Sequence, residues 1–258
     1  MGFLKQQHAS GMVGMVIITL VVSLVVRAWW AGGFDNLLIP GKAVENEVVA
    51  QMEAYPGNEV LLEQLQTDFP RAYDDLTETL GRAARGPGGE NRVLIAANLW
   101  ALNFFASHDR DFAAAPIESL DHVMALQQTF LEELRAHDEY ACAAYAKGEA
   151  QEEPLPESFD IAGGEIVAAR FAAIKAGRTN QQLRLGLTPA HWQALVATMR
   201  EKGLNEEQIA VAFGEADPAS IGAPLACEMA IELVSAIRAQ PQEEPRALLT
   251  GAYISGAE

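Results

Sequence analysis

Basic residues are scarce in this chain. Its 258 residues include 18 Lys and Arg against 35 Asp and Glu, which gives a formal net charge of −17. The first 30 residues contain two bases and no acid, so the remainder is more acidic still. Such a surface is repelled by the phosphates of nucleic acids and by anionic lipids. We therefore predict that the protein does not bind DNA or RNA.

Cysteine is also rare, with only Cys142 and Cys227 in the chain. No C-x-x-C spacing occurs, so the common zinc and dithiol redox motifs are not supported. In a reducing compartment the two cysteines would be small buried hydrophobic residues. In an oxidising compartment they could pair. The sequence leaves both alternatives open, and the pair is a possible disulfide.

Catalytic signatures are missing as well. The sequence has no H-E-x-x-H zinc motif, no G-x-S-x-G nucleophile motif and no phosphate-binding P-loop. It also lacks the Glu-x-x-His pairs of ferritin-like carboxylate bundles. We therefore assign no catalytic residue, no cofactor and no metal ligand, and the sequence favours a protein that is not an enzyme.

The longest apolar run lies near the start of the chain. A helix over residues 11–30 would be about 30 Å long, which matches the hydrocarbon thickness of a bilayer. Arg27 lies one turn from its end, where the side chain can reach the headgroups, and Trp29 and Trp30 lie where an aromatic belt is expected. We predict a short tail over residues 1–10 and a transmembrane anchor over residues 11–30.

Two alternatives to an anchor are a cleaved signal peptide and a helix in a soluble core. The apolar stretch slightly exceeds the usual length for a signal peptide, and no A-x-A cleavage site follows it. A core helix would need a polar face or a large surrounding core, and this run has no polar face. Both observations favour the anchor.

The orientation of the anchor depends on its basic flanks. Lys5 precedes the span, and Arg27 and Lys42 follow it, which is close to a tie. Because a short tail before a first span usually stays inside, and because the flank after Phe34 is acidic, we predict that the main domain lies outside the cytoplasm. In a bacterium this is the periplasmic side of the inner membrane.

Beyond the anchor, alternation of β-branched and polar residues is nearly absent, and Ala, Leu, Glu and Gln dominate. This composition predicts an all-α, multi-helix globular domain. The stretch GEAQEEPLPES is typical of a linker. It divides the domain into two possible helical subdomains, residues 31–150 and residues 151–258.

Helix start and stop signals predict several boundaries. Pro116 opens a long helix whose apolar stripe would bury Asp138, so we expect a break just before Asp138 and a new helix capped by it. Asn205 with Gln208 is a second start signal. The apolar stretch Arg92–Ser107 predicts a central core helix, and the loop GPGGEN precedes it.

Three of the five histidines lie beside acids, in His108-Asp109, Asp121-His122 and His137-Asp138-Glu139. These dipeptides resemble those of metal-dependent phosphohydrolases of the HD class, which implies a membrane-tethered metal-dependent hydrolase as the alternative function. The helical wheel places His122 opposite the apolar stripe, and His108 and His137 are expected at helix ends. A metal site needs ligands that converge on a buried pocket.

Large aromatic residues are candidates for a partner surface, and core packing is the other explanation. The possible interaction aromatics are Trp100, Phe104, Phe105 and Trp192. With an anchor, a helical domain rich in apolar residues and no convergent reactive groups, the sequence favours an interaction, scaffold or assembly module. Its predicted partners are the membrane, through residues 11–30, and an unidentified membrane or envelope protein.

One fusion tests the anchor and its orientation together. We expect alkaline phosphatase fused after Glu258 to be active and to sediment with membranes, because the enzyme folds only outside the cytoplasm. A soluble form that starts near Trp29 would instead show a cleaved signal peptide. An inactive fusion, beside an active cytoplasmic reporter at the same position, would reverse the orientation.

Overall fold

A computed structural model describes residues 49–50, 52–85, 89–149 and 155–255. These residues form α-helices and one short 3-10 helix and contain no strand, which confirms the all-α prediction for this part of the chain. None of the described helices combines the length and the hydrophobicity that a membrane span requires. The predicted tail, the anchor and its flanks (Lys5, Arg27, Trp29 and Trp30) lie outside the described residues.

We number the helices in chain order. They are α1 (Asn58–Asp68), α2 (Pro70–Ala84), α3 (Gly89–Ala113), α4 (Ile117–His137), α5 (Glu139–Lys147), α6 (Glu157–Thr179), α7 (Pro189–Glu201), α8 (Glu206–Ala212), α9 (Ala223–Arg238) and α10 (Glu243–Ser255). The 3-10 helix, Pro218–Ser220, lies between α8 and α9.

Two helices organise the packing. Helix α6 packs against α1, α3 and α4, and α9 packs against α4, α5, α7, α8 and α10. Helix α4 contacts both, and the buried residues of the helices form one hydrophobic cluster. The division into residues 31–150 and 151–258 stays a prediction, and the described helices on its two sides share this cluster.

Close contacts along α6 depend on glycine. A Cβ on Gly164 would lie 2.0 Å from the carbonyl oxygen of Gly57, just before α1. Towards the other end of α6, a Cβ on Gly177 would lie 1.7 Å from the carbonyl oxygen of Asp111 in α3. Because no side chain fits at such distances, glycine is what lets α6 lie this close to both neighbours.

The predicted helix boundaries at Asp138 and Asn205 are confirmed. Helix α4 ends at His137, and the carboxylate of Asp138 accepts hydrogen bonds from the backbone N–H groups of Tyr140 and Ala141 at the start of α5. Asn205 and Gln208 form a reciprocal capping box at the start of α8. Both caps satisfy backbone donors that a helix start leaves without partners.

Helix α3 is longer than predicted at both ends. It begins at Gly89, within the stretch expected to be a loop, and continues past Ser107 to Ala113. The polar run HDRD at 108–111 has the composition of a helix end, which explains the wrong prediction. The helix continues because Phe112, directly after the run, is fully buried and because acids of the run face arginines on α6.

Cys142 of α5 and Cys227 of α9 form a disulfide, with their Cα atoms 5.4 Å apart. Both cysteines are fully buried. The bond joins positions 85 residues apart in sequence and links the short α5 to the central α9. A crosslink over a loop of this length removes conformational freedom mainly from the unfolded chain.

We expect the double variant Cys142→Ala and Cys227→Ala to lose about 2–5 kcal/mol of unfolding free energy, the usual range for loss of such a disulfide. Urea denaturation followed by circular dichroism at 222 nm measures the change. Wild-type protein kept in reductant is the control and should match the double variant. An unchanged urea midpoint in both samples would contradict the expected role of the bond.

Candidate interaction surface

The structure does not bring the His and Asp dipeptides together. His108 lies inside α3, so its predicted position at a helix end is wrong, and its ring stacks on Phe104 with centroids 4.3 Å apart. His137 ends α4 and lies 5.4 Å from the ring of Phe159, while His122 is exposed on α4. Across the described residues, no three His, Cys, Asp or Glu side chains lie close enough to hold a metal ion.

Asp109 has a structural partner on α6. Its carboxylate lies 3.8 Å from the guanidinium of Arg170, which is almost completely buried and sits 3.8 Å above the ring of Phe105. Burial lowers the pKa of Arg170 to about 9, and the charge of Asp109 opposes this shift. Arg170 therefore stays charged at neutral pH, and Asp109 compensates a buried cation.

Three of the predicted interaction aromatics belong to the core. Trp100, Phe104 and Phe105 are all buried. The indole N–H of Trp100 donates to Asp75 of α2, and the ring of Phe105 stacks on Phe171 of α6. These three residues hold α3 against α2 and α6, so they do not form a surface for a partner. Core packing, the other explanation, is what the structure shows for them.

Trp192 lies partly at the surface. Its side chain is 37% exposed, and its ring packs edge-on against Phe213 with centroids 5.7 Å apart. The larger part of the Trp192 side chain is thus already covered within the domain. Trp192 therefore adds a small exposed apolar area at the start of α7, while the rest of its side chain packs within the domain.

The outer face of α3 carries apolar residues that the sequence did not separate from the core. Ile95, Leu99 and Leu102 recur at spacings of four and three, so they lie on one face of the helix. Their exposures are 55%, 54% and 41%. Helix α3 is therefore apolar on both faces over this stretch, and the described helices cover only one of them.

A second exposed apolar group lies in the segment between α6 and α7. Residues 181–188 form neither helix nor strand, and we name them the leucine strap. Leu183 and Leu185 of this strap are 91% and 81% exposed, the highest values among the large hydrophobic residues that the structure describes. Arg184 between them points inward and is half-buried.

Specific hydrogen bonds hold the leucine strap in place. Arg184 donates from Nη1 to the carbonyl of Ala113 at 2.6 Å and from Nη2 to that of Ala115 at 2.7 Å. Next to this fork, the N–H of Gln182 donates to the carbonyl of Ala114 at 2.8 Å. One guanidinium and one amide thus satisfy three carbonyls at the end of α3 and in the turn that follows it, where carbonyls lack partners within the helix.

Helix α10 holds the other side of the strap. The N–H of Leu185 donates to Oε1 of Glu244 at 2.8 Å. Partial burial lowers the pKa of Arg184, and the carboxylates of Glu244 and Glu118 oppose this shift. The strap is therefore fixed from two sides, with acids at its margin.

Sequence reasoning missed the leucine strap. Helix signals end at Gly177 and resume at Thr188, so the sequence predicts only an ordinary connection between them. The available signal was the order Leu-Arg-Leu, in which apolar residues alternate with a base outside any helix. That pattern does not reveal that Arg184 is the residue that turns inward, because its carbonyl partners come from a turn about 70 residues earlier.

No protein-family model matches the chain, and comparison with curated proteins and with solved structures finds no similar one. The functional argument therefore rests on the geometry of the described residues.

We expect Arg184→Met to loosen the leucine strap while the helices stay intact. Loss of two hydrogen bonds to a charged group, each about 1.5–3 kcal/mol, should raise amide exchange of residues 182–186 by about tenfold or more. Hydrogen–deuterium exchange measures this. Arg178→Met is the matched control, because Arg178 is half-exposed and lies 3.8 Å from Asp111. Equal exchange in the two variants would contradict the anchoring role of Arg184.

Proposed function

We propose that the chain is a single-pass, membrane-anchored helical module that binds another membrane or envelope protein, as a scaffold or assembly factor. The observation that carries this proposal is the leucine strap, which presents two nearly fully exposed leucines in a conformation fixed by hydrogen bonds. Single exposed apolar residues are common on protein surfaces. A pair of leucines held in a fixed conformation is different. Because these leucines are ordered but not buried, they give the isolated domain no hydrophobic stabilisation.

The outer face of α3 supports the same proposal. Ile95, Leu99 and Leu102 form a row with the spacing that helices use to pack against one another. A helix that is apolar on both faces is typical of an element covered from both sides. A partner that covers this face would remove three large side chains from water.

Membrane attachment is the second part of the proposal, and it rests on the apolar run at residues 11–30. An anchor would hold the exposed surfaces near other membrane proteins and raise their effective concentration there. The disulfide between Cys142 and Cys227 supports a domain on the oxidising side of the membrane, since such bonds persist in the periplasm and outside cells.

The alternative, a membrane-tethered metal-dependent hydrolase, gains no support from the described residues. Three of its candidate ligands have other contacts: His108 stacks on the buried Phe104 and Asp109 faces Arg170. Asp138 caps α5. Each side chain is thus occupied by packing, ion pairing or capping.

The test is the size of the native assembly. We expect the full-length chain, extracted from membranes in mild detergent, to migrate in native gels as a complex with a different protein. Leu99→Ser combined with Leu183→Ser and Leu185→Ser should shift at least half of it to the free chain, because the loss of buried leucines weakens association. Gln181→Ser, a polar exchange in the same strap, is the control.

Co-expression of two differently tagged copies distinguishes a hetero-complex from self-association. Tags that do not co-purify show that the larger species contains another protein. A wild-type chain that migrates free of other proteins under these conditions would contradict the proposed function.

A further inference from the structure

The two exposed leucines of the strap lie on either side of a residue that turns inward. In an extended segment, side chains two residues apart point to the same side and lie about 6.6 Å apart. The exposures of Leu183 and Leu185, with Arg184 turned inward between them, fit this alternation. A partner that binds one leucine in an apolar groove therefore meets the other at a fixed spacing.

The strap is ordered before any partner arrives. The fork of Arg184 on two carbonyls, the Gln182 amide and the bond from Leu185 to Glu244 fix its backbone. A segment that is already ordered loses less conformational entropy on binding than a flexible loop. The N–H of Leu185 is already taken by Glu244, so recognition on that edge falls to the side chains and not to a strand ladder.

The charged residues around the strap indicate which charge a partner's contact surface should carry. The carboxylates of Glu244 and Glu118 are close enough to Arg184 to oppose the lowering of its pKa by burial. The neighbouring Glu243 is exposed. Three of the nearby bases have partners: Arg184 binds carbonyls, Arg246 lies 3.0 Å from Asp121, and Arg178 lies 3.8 Å from Asp111. Arg110, in the last turn of α3, is exposed. The margin of the strap is therefore acidic on the side of α10 and the start of α4, and a surface that approaches this side gains from Lys and Arg at matching positions.

We infer that Leu183 and Leu185 dock together into an apolar groove on a basic protein, whose Lys or Arg residues meet Glu118, Glu243 and Glu244. This rests on the proposed function. A second copy of the chain fits poorly, because it brings the same acids to the interface and a net charge of −17. An anionic lipid surface fits poorly for the same reason.

Photocrosslinking in intact cells tests the inference on the full-length chain. The probe is benzoylphenylalanine, incorporated at position 183 or at position 185. We expect the same protein adduct from both positions, with lysines and arginines around the crosslinked site on the partner. With the probe at 183, Leu185→Ser should lower the adduct yield at least tenfold, while Leu225→Ser, at an exposed leucine on α9, should leave it unchanged.

Binding of the identified partner, purified, supplies the second measurement. We expect Leu183→Ser with Leu185→Ser to weaken its affinity for the full-length chain at least tenfold, with unchanged circular dichroism. In the otherwise wild-type chain, Glu244→Gln and high salt should each weaken the affinity as well, because both reduce the attraction between the acidic margin and the partner's bases.

Four outcomes would overturn the inference: an adduct of twice the chain's own mass, an adduct with lipid alone, a partner with an acidic contact surface, or no adduct from either strap position. The proposed function has a separate readout. If a probe at position 99 on α3 crosslinks a different protein while the strap positions do not, the module binds a partner and only the docking site is wrong. Absence of adducts from all three positions would count against both.

Discussion

The leucine strap depends on the backbone contact between Gly177 of α6 and Asp111 of α3. No side chain fits at Gly177, since a Cβ there would meet the Asp111 carbonyl at 1.7 Å. The contact brings the end of α6 to the turn between α3 and α4. The chain that leaves α6 therefore passes the carbonyls of Ala113 and Ala115, which Arg184 binds. The order of the leucine strap follows from a close approach of two helices.

Helix α3 shows how one element can serve both the fold and a surface. Its inner face supplies the aromatic residues that pack against α2 and α6, around the buried Arg170. Its outer face is apolar too, with Ile95, Leu99 and Leu102 in one row. The inner face accounts for the stability of the helix in the domain. The outer row has no such role in the described chain, and the leucine strap likewise presents apolar groups that the fold itself does not bury.

The polar residues that suggested a metal site have structural roles. Asp109 lies beside the cation of Arg170, and Asp138 terminates one helix and starts another. His108 contributes an aromatic surface to the stack around Phe104. A dipeptide of His and Asp therefore says little about chemistry until its neighbours in space are known, because capping and ion pairing use the same groups as metal binding.

The sequence by itself determined the helical class and the local boundaries at Asp138 and Asn205, because helix periodicity and capping involve residues within about four positions of each other. It did not determine the end of α3, since the polar run at 108–111 is held helical by arginines on α6. It also did not separate the buried aromatics Trp100 and Phe104 from the exposed Leu99. When a helix is apolar on all faces, its sequence does not show which face is buried until the neighbouring helices are placed. Only the tertiary structure decided which leucines remain in contact with water. Exposure depends on contacts between residues far apart in sequence, and Arg184, which turns inward to carbonyls about 70 residues earlier, leaves Leu183 and Leu185 on the outside.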